Sequence, residues 1–231
     1  MKVDHRRSAA ITRPVLLVST LAPWNVNFLS QPRARHSFQI NWMNSVPQSP
    51  VNNLCVYCGS RLGNDPNFEV AARELGHRLA AHDIGLVYGG GAIGLMGVVA
   101  SAVSDRGGKV TGVIPEFLRQ REIAFNDAEE LILTEDMHAR KRIMFERSDA
   151  FVALPGGIGT LEELLEVSTW LQLEQHEKPV IVANLFGYWE PLRDLLAGAV
   201  AGGFVDQSTV DQIRIVNSVE QLMTELGFPS A

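Results

Sequence analysis

The chain is short of cysteine, of basic charge over most of its length and of long apolar runs, and each shortage narrows what it can be. Cys55 and Cys58 form a single CxxC. A structural zinc site takes four ligands, usually from two such pairs, and no second Cys or His pair follows at suitable spacing. A redox pair is the alternative. However, the segment reads as a buried strand, where thiols are commonplace packing residues, so simple packing is the preferred reading. No apolar run is long enough to cross a bilayer, and there is no internal repeat or low-complexity tract. Residues 1–42 hold six Lys/Arg against the single acid Asp4, and the remainder carries 14 basic and 25 acidic residues, a net of −11. An acidic body argues against non-specific nucleic-acid binding. It leaves room for an anionic small ligand held by a local loop.

A length of 231 residues with 46% hydrophobic and 20% charged content suits one α/β domain with a tail. The tail is ambiguous. Val15 to Ala22 follows three arginines and faintly resembles a signal h-region without a small-x-small cleavage site. A transit peptide, or an upstream extension ahead of Met43, are the other readings, and the sequence does not choose among them. Residues 1–50 are Pro-, Ser- and Asn-rich and are expected to be poorly ordered. Residues 51–231 are expected to form the folded domain, cytoplasmic and without a membrane span.

Within that domain apolar runs alternate with helical periodicity. Strands are expected at Leu54–Tyr57, Ile84–Tyr88, Lys109–Ile114 (closed by Pro115), Ala150–Leu154, Val180–Asn184 and Ile213–Val216. Helices are expected from Asp65, as cap ahead of Pro66, to about His82, with Val70, Leu75, Leu79 and Ala80 near helical spacing. Others run from the Gly89–Gly97 stretch to Arg106, and over His138–Arg147, Leu161–Leu173, Tyr188–Gly202 and Val219–Leu226. The stretch Glu116–Glu135 reads as irregular with a short helix. Strands alternating with helices imply a Rossmann-like, doubly wound and mostly parallel sheet with helices on both faces. In such sheets ligands bind beyond the carboxyl ends of the strands. Ser60, Gly89 to Gly91 and Gly156 to Thr160 all fall at such ends.

The chain is organised around Leu154-Pro155-Gly156-Gly157-Ile158-Gly159-Thr160-Leu161-Glu162-Glu163. A glycine-rich turn between strand and helix presents backbone N–H groups at the positive end of the helix, which suits a phosphate. Thr160 adds a hydroxyl. Thr160 and Glu163 also spell a capping box, Thr at N-cap and Glu at N3, and such boxes usually have no catalytic role. A second glycine run, Gly89-Gly90-Gly91-Ala92-Ile93-Gly94, satisfies the G-x-G-x-x-G dinucleotide fingerprint. Against that reading, the next strand ends in Val113-Ile114-Pro115 and supplies no ribose-binding acid. Gly94 and Gly97 then read as packing glycines. Arg140 and Lys141 open a basic helix against its dipole, which suggests an anionic partner. The plain alternative is a solvated pair with Glu135 or Asp136.

Pro155 to Glu163 resembles the PGGxGTxxE signature of the LOG ("lonely guy") family, cytokinin riboside 5′-monophosphate phosphoribohydrolases. Met137-His138-Ala139-Arg140-Lys141 is similar to that family's Met-His-x-Arg-Lys, and Gly89 to Gly97 to its Gly-Gly-Gly-x-x-Gly-Leu-Met-Gly. The likeness runs from about Leu54 to the C-terminus. It implies hydrolysis of the N-glycosidic bond of purine riboside 5′-monophosphates such as AMP and N6-isopentenyl-AMP, with no metal or organic cofactor. It implies Arg140 and Glu163 as catalytic residues. Substrate contacts would come from Ser60, Gly90, Gly91, Met137, Lys141, Gly156, Gly157, Ile158, Gly159 and Thr160. Glu122, in an Arg-Glu-Ile stretch, would be a further contact. The likeness also implies a homodimer, with a hexamer in some members. From its place two turns after the central loop, Thr169, with Ser168 as the second choice, is read as bordering the pocket.

Other readings stand beside these. His138 is read as structural, Glu162 as a loop-side or solvent residue, and Trp170, Leu171 and Leu173 as core. The family's Leu-Gly-Ile-His segment is here Leu173-Glu174-Gln175-His176, a departure that bears on base preference. A lysine decarboxylase label used for the family finds no support, because a pyridoxal enzyme needs a Schiff-base lysine with partners and the chain has only Lys2, Lys109, Lys141 and Lys178. The alternative function is a nucleotide carrier or sensor using the same loops without catalysis.

Overall fold

The computed structural model describes residues 50–119 and 128–229, all within the compact unit Met43–Ala231. The expectation for residues ahead of Pro50 and the contact assigned to Glu122 lie outside the described residues.

Seven short strands form one sheet: β1 (Asn53–Tyr57), β2 (Gly85–Tyr88), β3 (Val110–Pro115), β4 (Glu130–Thr134), β5 (Ala150–Ala153), β6 (Val180–Ala183) and β7 (Ile213–Val216). Their order is β4-β3-β2-β1-β5-β6-β7, and every neighbouring pair is parallel. The central strands are continuous apolar runs because both faces are covered. Alternation along β1 divides the interior. Leu54 and Val56 join Leu75, Leu79, Val99 and Leu222 on one face, beneath α1 (Asn67–Ala81), α2 (Gly94–Ser104) and α8 (Val219–Glu225). Cys55 and Tyr57 join Met144, Phe151, Leu164 and Leu192 on the other, beneath α4 (Met137–Glu146), α5 (Ile158–Gln172) and α6 (Glu190–Ala201). Among the described residues there are also two short α-helices, α3 (Glu116–Arg119) and α7 (Gln207–Val210), of four residues each.

Strand order reverses between β1 and β5. The loops leaving these two strands therefore part to opposite sides and open a crevice between them. Asp65 begins α1 as expected: its Oδ1 accepts from the Asn67 N–H at 2.9 Å, and Pro66 already has helical angles.

Six local expectations are corrected. The stretch read as irregular contains β4, paired with β3 over its whole length. As an edge strand it is only partly buried, with Leu133 45% exposed, so the two-sided apolar run that marks the central strands is missing. Val70 is 64% and Leu173 60% exposed, the first because α1 buries the stripe through Ala71, Ala72, Leu75 and Leu79, the second because it ends α5. Pro115 belongs to β3, tolerated as its last residue. Helix α2 begins only at Gly94, because the left-handed Gly90 and Gly94 keep the intervening residues in a loop. Helix α5 begins three residues before Leu161, which has consequences for the site.

Candidate active site

The crevice is knitted together by Gly59, which follows β1. Its N–H donates to the Pro155 carbonyl at 3.0 Å, and its carbonyl accepts from the Leu95 and Met96 N–H groups at 3.0 and 3.3 Å. These bonds occupy the N-terminus of α2, where a pyrophosphate would have to sit in a dinucleotide site. Gly94 lies so close to this loop that a Cβ would fall 2.2 Å from the Ser60 carbonyl carbon, and one on Gly97 would fall 2.0 Å from the Ala92 carbonyl oxygen. Both glycines are there for close packing, and the fingerprint is explained without a dinucleotide.

The N-terminus of α5 is built differently. Its N-cap is Gly157 in an extended conformation, with no side-chain cap. Added Cβ atoms at Gly157 and Gly159 would meet open space, and Ile158 is 87% exposed. A cleft of about 560 Å³ adjoins this end, lined by Ser60, Arg61, Gly156, Gly157, Ile158 and Tyr188 among others. The Tyr188 hydroxyl donates to the Gly156 carbonyl at 2.5 Å, fixing the turn from the β6 side. Thr160 is not the N-cap, so the capping box is overturned. Thr160 lies inside the first turn and is buried, and its Oγ1 would be 2.1 Å from a Cβ on Gly156. The hydroxyl thus takes the space that only a glycine leaves free.

With the capping role removed, Glu163 is buried one and a half turns into α5. Its Oε1 lies 3.8 Å from Nη2 of Arg140, so the two residues named as catalytic meet although α4 and α5 supply them separately. Arg140 is 5% exposed and held on all sides. Its Nε donates to the Val113 carbonyl at 3.1 Å, and its Nη2 to the Gly89 carbonyl at 3.3 Å. Its Nη1 lies 3.8 Å from the Met137 sulfur. Gly89 is required beneath it, since a Cβ there would stand 2.1 Å from Nη2. Gly90 and Gly91 are buried next to this carbonyl. Asp136 caps α4 through the Ala139 N–H at 2.7 Å, and this bond holds its carboxyl below the usual range.

Lys141 sits elsewhere than expected. Its ammonium bonds Glu162 at 2.5 Å and Glu166 at 2.9 Å, and its side chain is 10% exposed. Burial alone would lower its pKa, but the two carboxylates outweigh it and hold the ammonium above its ordinary value. The pairing with Glu135 or Asp136 is replaced by this one, and Glu162, solvent-exposed as expected, is also a partner of the lysine. Thr169 is exposed and donates to its own helix, to the Leu165 carbonyl at 2.7 Å. Of the expected contacts, Ser60, Gly156, Gly157 and Ile158 line the cleft, whereas Thr169, like Arg140, Glu163 and Met137, lies outside that lining. Sequence reasoning missed Glu166, Gly89 as a bed for Arg140, and Tyr188. Only Glu166 left a signal, its i, i+4 spacing from Glu162.

The thiols of Cys55 and Cys58 are free and buried on opposite faces of the sheet. Burial pushes Cys55 up to about 12 and Cys58 well up, the opposite of a reactive pair. Among the described residues no cluster of His, Cys, Asp and Glu has the makings of a metal site.

A family model described as "Possible lysine decarboxylase" matches residues 96–226. The described lysines do not fit pyridoxal chemistry: Lys109 pairs with Asp83, Lys141 with two carboxylates, and Lys178 donates to the Phe145 carbonyl. None of these lines the cleft. A protein of Oryza sativa subsp. japonica, named as the probable cytokinin riboside 5′-monophosphate phosphoribohydrolase LOG4, is 44% identical over 179 residues, 78% of this chain and 78% of its own length. The Arabidopsis thaliana cytokinin riboside 5′-monophosphate phosphoribohydrolase LOG1 is 46% identical over 179 residues, 78% of this chain and 84% of its own. Among solved structures, the Moco carrier protein of Chlamydomonas reinhardtii superposes with a TM-score of 0.58 at 22% identity, covering 78% of this chain and 96% of that one. At that identity the likeness shows the fold alone. With its two signature motifs joined through Arg140 and Glu163 and this identity to named relatives over most of its length, the chain belongs to the LOG family of cytokinin riboside 5′-monophosphate phosphoribohydrolases.

Proposed function

We propose that this protein hydrolyses the N-glycosidic bond of purine nucleoside 5′-monophosphates, AMP and N6-isopentenyl-AMP among them, giving free base and ribose 5-phosphate. The observation that carries the reading is the buried meeting of Arg140 and Glu163 at 3.8 Å, six residues into a helix whose N-terminus is uncapped and open. A 5′-phosphate accepts the N–H groups of the first turn, from Ile158 to Thr160, and is favoured there by the helix dipole. Binding energy from this remote group positions the ribose for reaction.

The reaction breaks the bond between C1′ and the base nitrogen. Water adds its oxygen to C1′, and its proton balance is closed on the departing base. The transition state carries positive charge on the sugar, as in other glycoside hydrolysis. The Glu163 carboxylate stabilises that charge or orients the water. The Arg140 guanidinium, held by two carbonyls, orients the sugar and assists departure of the base. No step requires a metal. Ser60, Gly90, Gly91 and Met137 border the same ligand in this reading, which takes the protein to be cytoplasmic and a homodimer. The apolar side chains of Ile158 and Leu165 exposed along α5 support a self-association face, and sedimentation velocity tests it.

The test is incubation of the purified protein with AMP and with isopentenyl-AMP, followed by chromatography of the bases. Free base and ribose 5-phosphate are expected, abolished by Glu163→Gln with nucleotide binding retained. Nucleotide binding without base release in the wild-type protein would identify a carrier instead.

A further inference from the structure

We propose that Tyr188 is a positioning residue for the phosphate grip: by holding the Gly156 carbonyl it aims the Gly157 N–H at the 5′-phosphate seated on the N-terminus of α5. This rests on the phosphoribohydrolase reading above and deepens it. The peptide between Gly156 and Gly157 has no side chain on either flank, and glycine places little restraint on its rotation. In a trans peptide the C=O and the N–H point in opposite directions. A bond that holds the carbonyl therefore also sets the direction of the amide. Two consecutive peptides are held in this way. The Pro155 carbonyl accepts from the Gly59 N–H at 3.0 Å, and the Gly156 carbonyl accepts from the Tyr188 hydroxyl at 2.5 Å. The amides of these two peptides, on Gly156 and Gly157, donate to no other described residue. Successive amides turned outward ahead of a helix suit an anion. The first of the two bonds is made by backbone alone. The second depends on one hydroxyl.

The chain after β6 is shaped to deliver that hydroxyl. Phe186 and Gly187 are both left-handed, with φ of 55° and 75°. This conformation is unfavourable for a bulky residue, and the Phe186 side chain is 62% exposed, so its burial does not offset the cost. Backbone held against its preference points to a positional role. The residue after Tyr188 is anchored. Trp189 is buried, and its N–H donates to Oδ1 of the buried Asn184 at 2.7 Å. The Asn184 amide donates in turn to Glu190 at 2.7 Å and to Asn217 at 3.3 Å. Between the strained pair and this anchor, the Tyr188 ring meets the Phe68 ring edge to face at 5.4 Å and the Trp189 ring at 4.8 Å. Phe68 and Tyr188 both line the cleft beside Gly156 and Gly157. The ring is thus wedged in the cleft wall with its hydroxyl on the glycine turn.

The experiment compares the wild-type protein with Tyr188→Phe, which keeps the ring, and with Phe68→Leu, which keeps the hydroxyl but loosens the ring. Calorimetry gives the affinities for ribose 5-phosphate, AMP and adenosine, base release from AMP gives kcat and KM, and urea denaturation confirms folding. Tyr188→Phe is expected to weaken ribose 5-phosphate and AMP by about 10-fold. Adenosine affinity should change less than about twofold, and KM for AMP should rise by a larger factor than kcat falls. Phe68→Leu should show a smaller loss with the same selectivity for phosphate. Equal weakening of AMP and adenosine in Tyr188→Phe would make the tyrosine a general support of the fold. Unchanged ribose 5-phosphate affinity would show that the amide keeps its direction unaided. Either result overturns the proposal. If the wild-type protein releases no base, the functional reading falls, while a phosphate-selective loss in Tyr188→Phe still upholds the grip. A wild-type protein that binds neither AMP nor ribose 5-phosphate would overturn both.

Discussion

Arg140 shows how much one side chain is asked to do. Its guanidinium spans the Val113 and Gly89 carbonyls while facing Glu163, a fork that an ammonium cannot reproduce. Arg140→Lys is therefore expected to lose turnover nearly as fully as Arg140→Ala, and steady-state kinetics on AMP checks it. Gly89 is the complement of that fork. A methyl group there would occupy the place of Nη2, at 2.1 Å, so Gly89→Ala must push the arginine off its carbonyls. The expected cost is about 1–3 kcal/mol of stability together with a fall in kcat, read by urea denaturation and by base release. Unchanged activity in Gly89→Ala would show that Arg140 tolerates displacement and would weaken its catalytic assignment.

Among the elements, α5 matters most, and its two ends are finished in different ways. The N-terminus is left uncapped for a ligand. The C-terminus is closed by a Schellman turn: the Glu174 N–H donates to the Leu171 carbonyl at 3.0 Å and the Gln175 N–H to the Trp170 carbonyl at 2.9 Å. Glu174 occupies the left-handed position of that turn, with φ of 56°, where the resembling family segment has glycine. The departure noted in the sequence is thus a matter of helix termination. Glu174→Gly is expected to raise stability by about 1 kcal/mol, seen as a higher urea midpoint at unchanged slope. The relative rates on AMP and isopentenyl-AMP should not move, and a change in that ratio would restore the segment to the substrate site.

For the whole molecule, pH and thiol chemistry report on the interior at both faces of the sheet. His176 ties the chain after α5 back to the helix. Its Nε2 faces the Val167 carbonyl at 3.0 Å and its Nδ1 accepts from the Lys178 N–H at 3.1 Å, which requires the neutral ring. Burial first, and the nearby Lys178 charge after it, lower the His176 pKa below its ordinary 6.5. The unfolded chain then binds the extra proton first, so stability falls as pH drops through 6.5 towards the lowered value. The melting temperature should decline between about pH 7.5 and 5.5, and less so in His176→Gln. An equal decline in both would remove His176 as the cause. Cys55 and Cys58, buried and poorly ionised, should resist an aromatic disulfide reagent in the native state and react together on global unfolding. Fast reaction of one thiol alone would reveal local opening of β1.

Most of the sheet was legible in the sequence because a strand covered on both faces has to be an unbroken apolar run, and β1, β2, β5 and β6 are such runs. The glycine turns were legible for a related reason, since few other residues allow a backbone to come that close to a neighbour. β4 was hidden because an edge strand needs only half of that pattern, and its charged flanks read as loop. The start of α5 was hidden because Thr160 and Glu163 have the spacing of a capping box, and spacing alone does not say whether a hydroxyl faces an amide or packs under a glycine. The meeting of Arg140 with Glu163, and the diversion of Lys141 to Glu162 and Glu166, were decided by the tertiary structure. Both depend on how far apart the sheet seats α4 and α5, a distance that residue order along the chain does not encode locally.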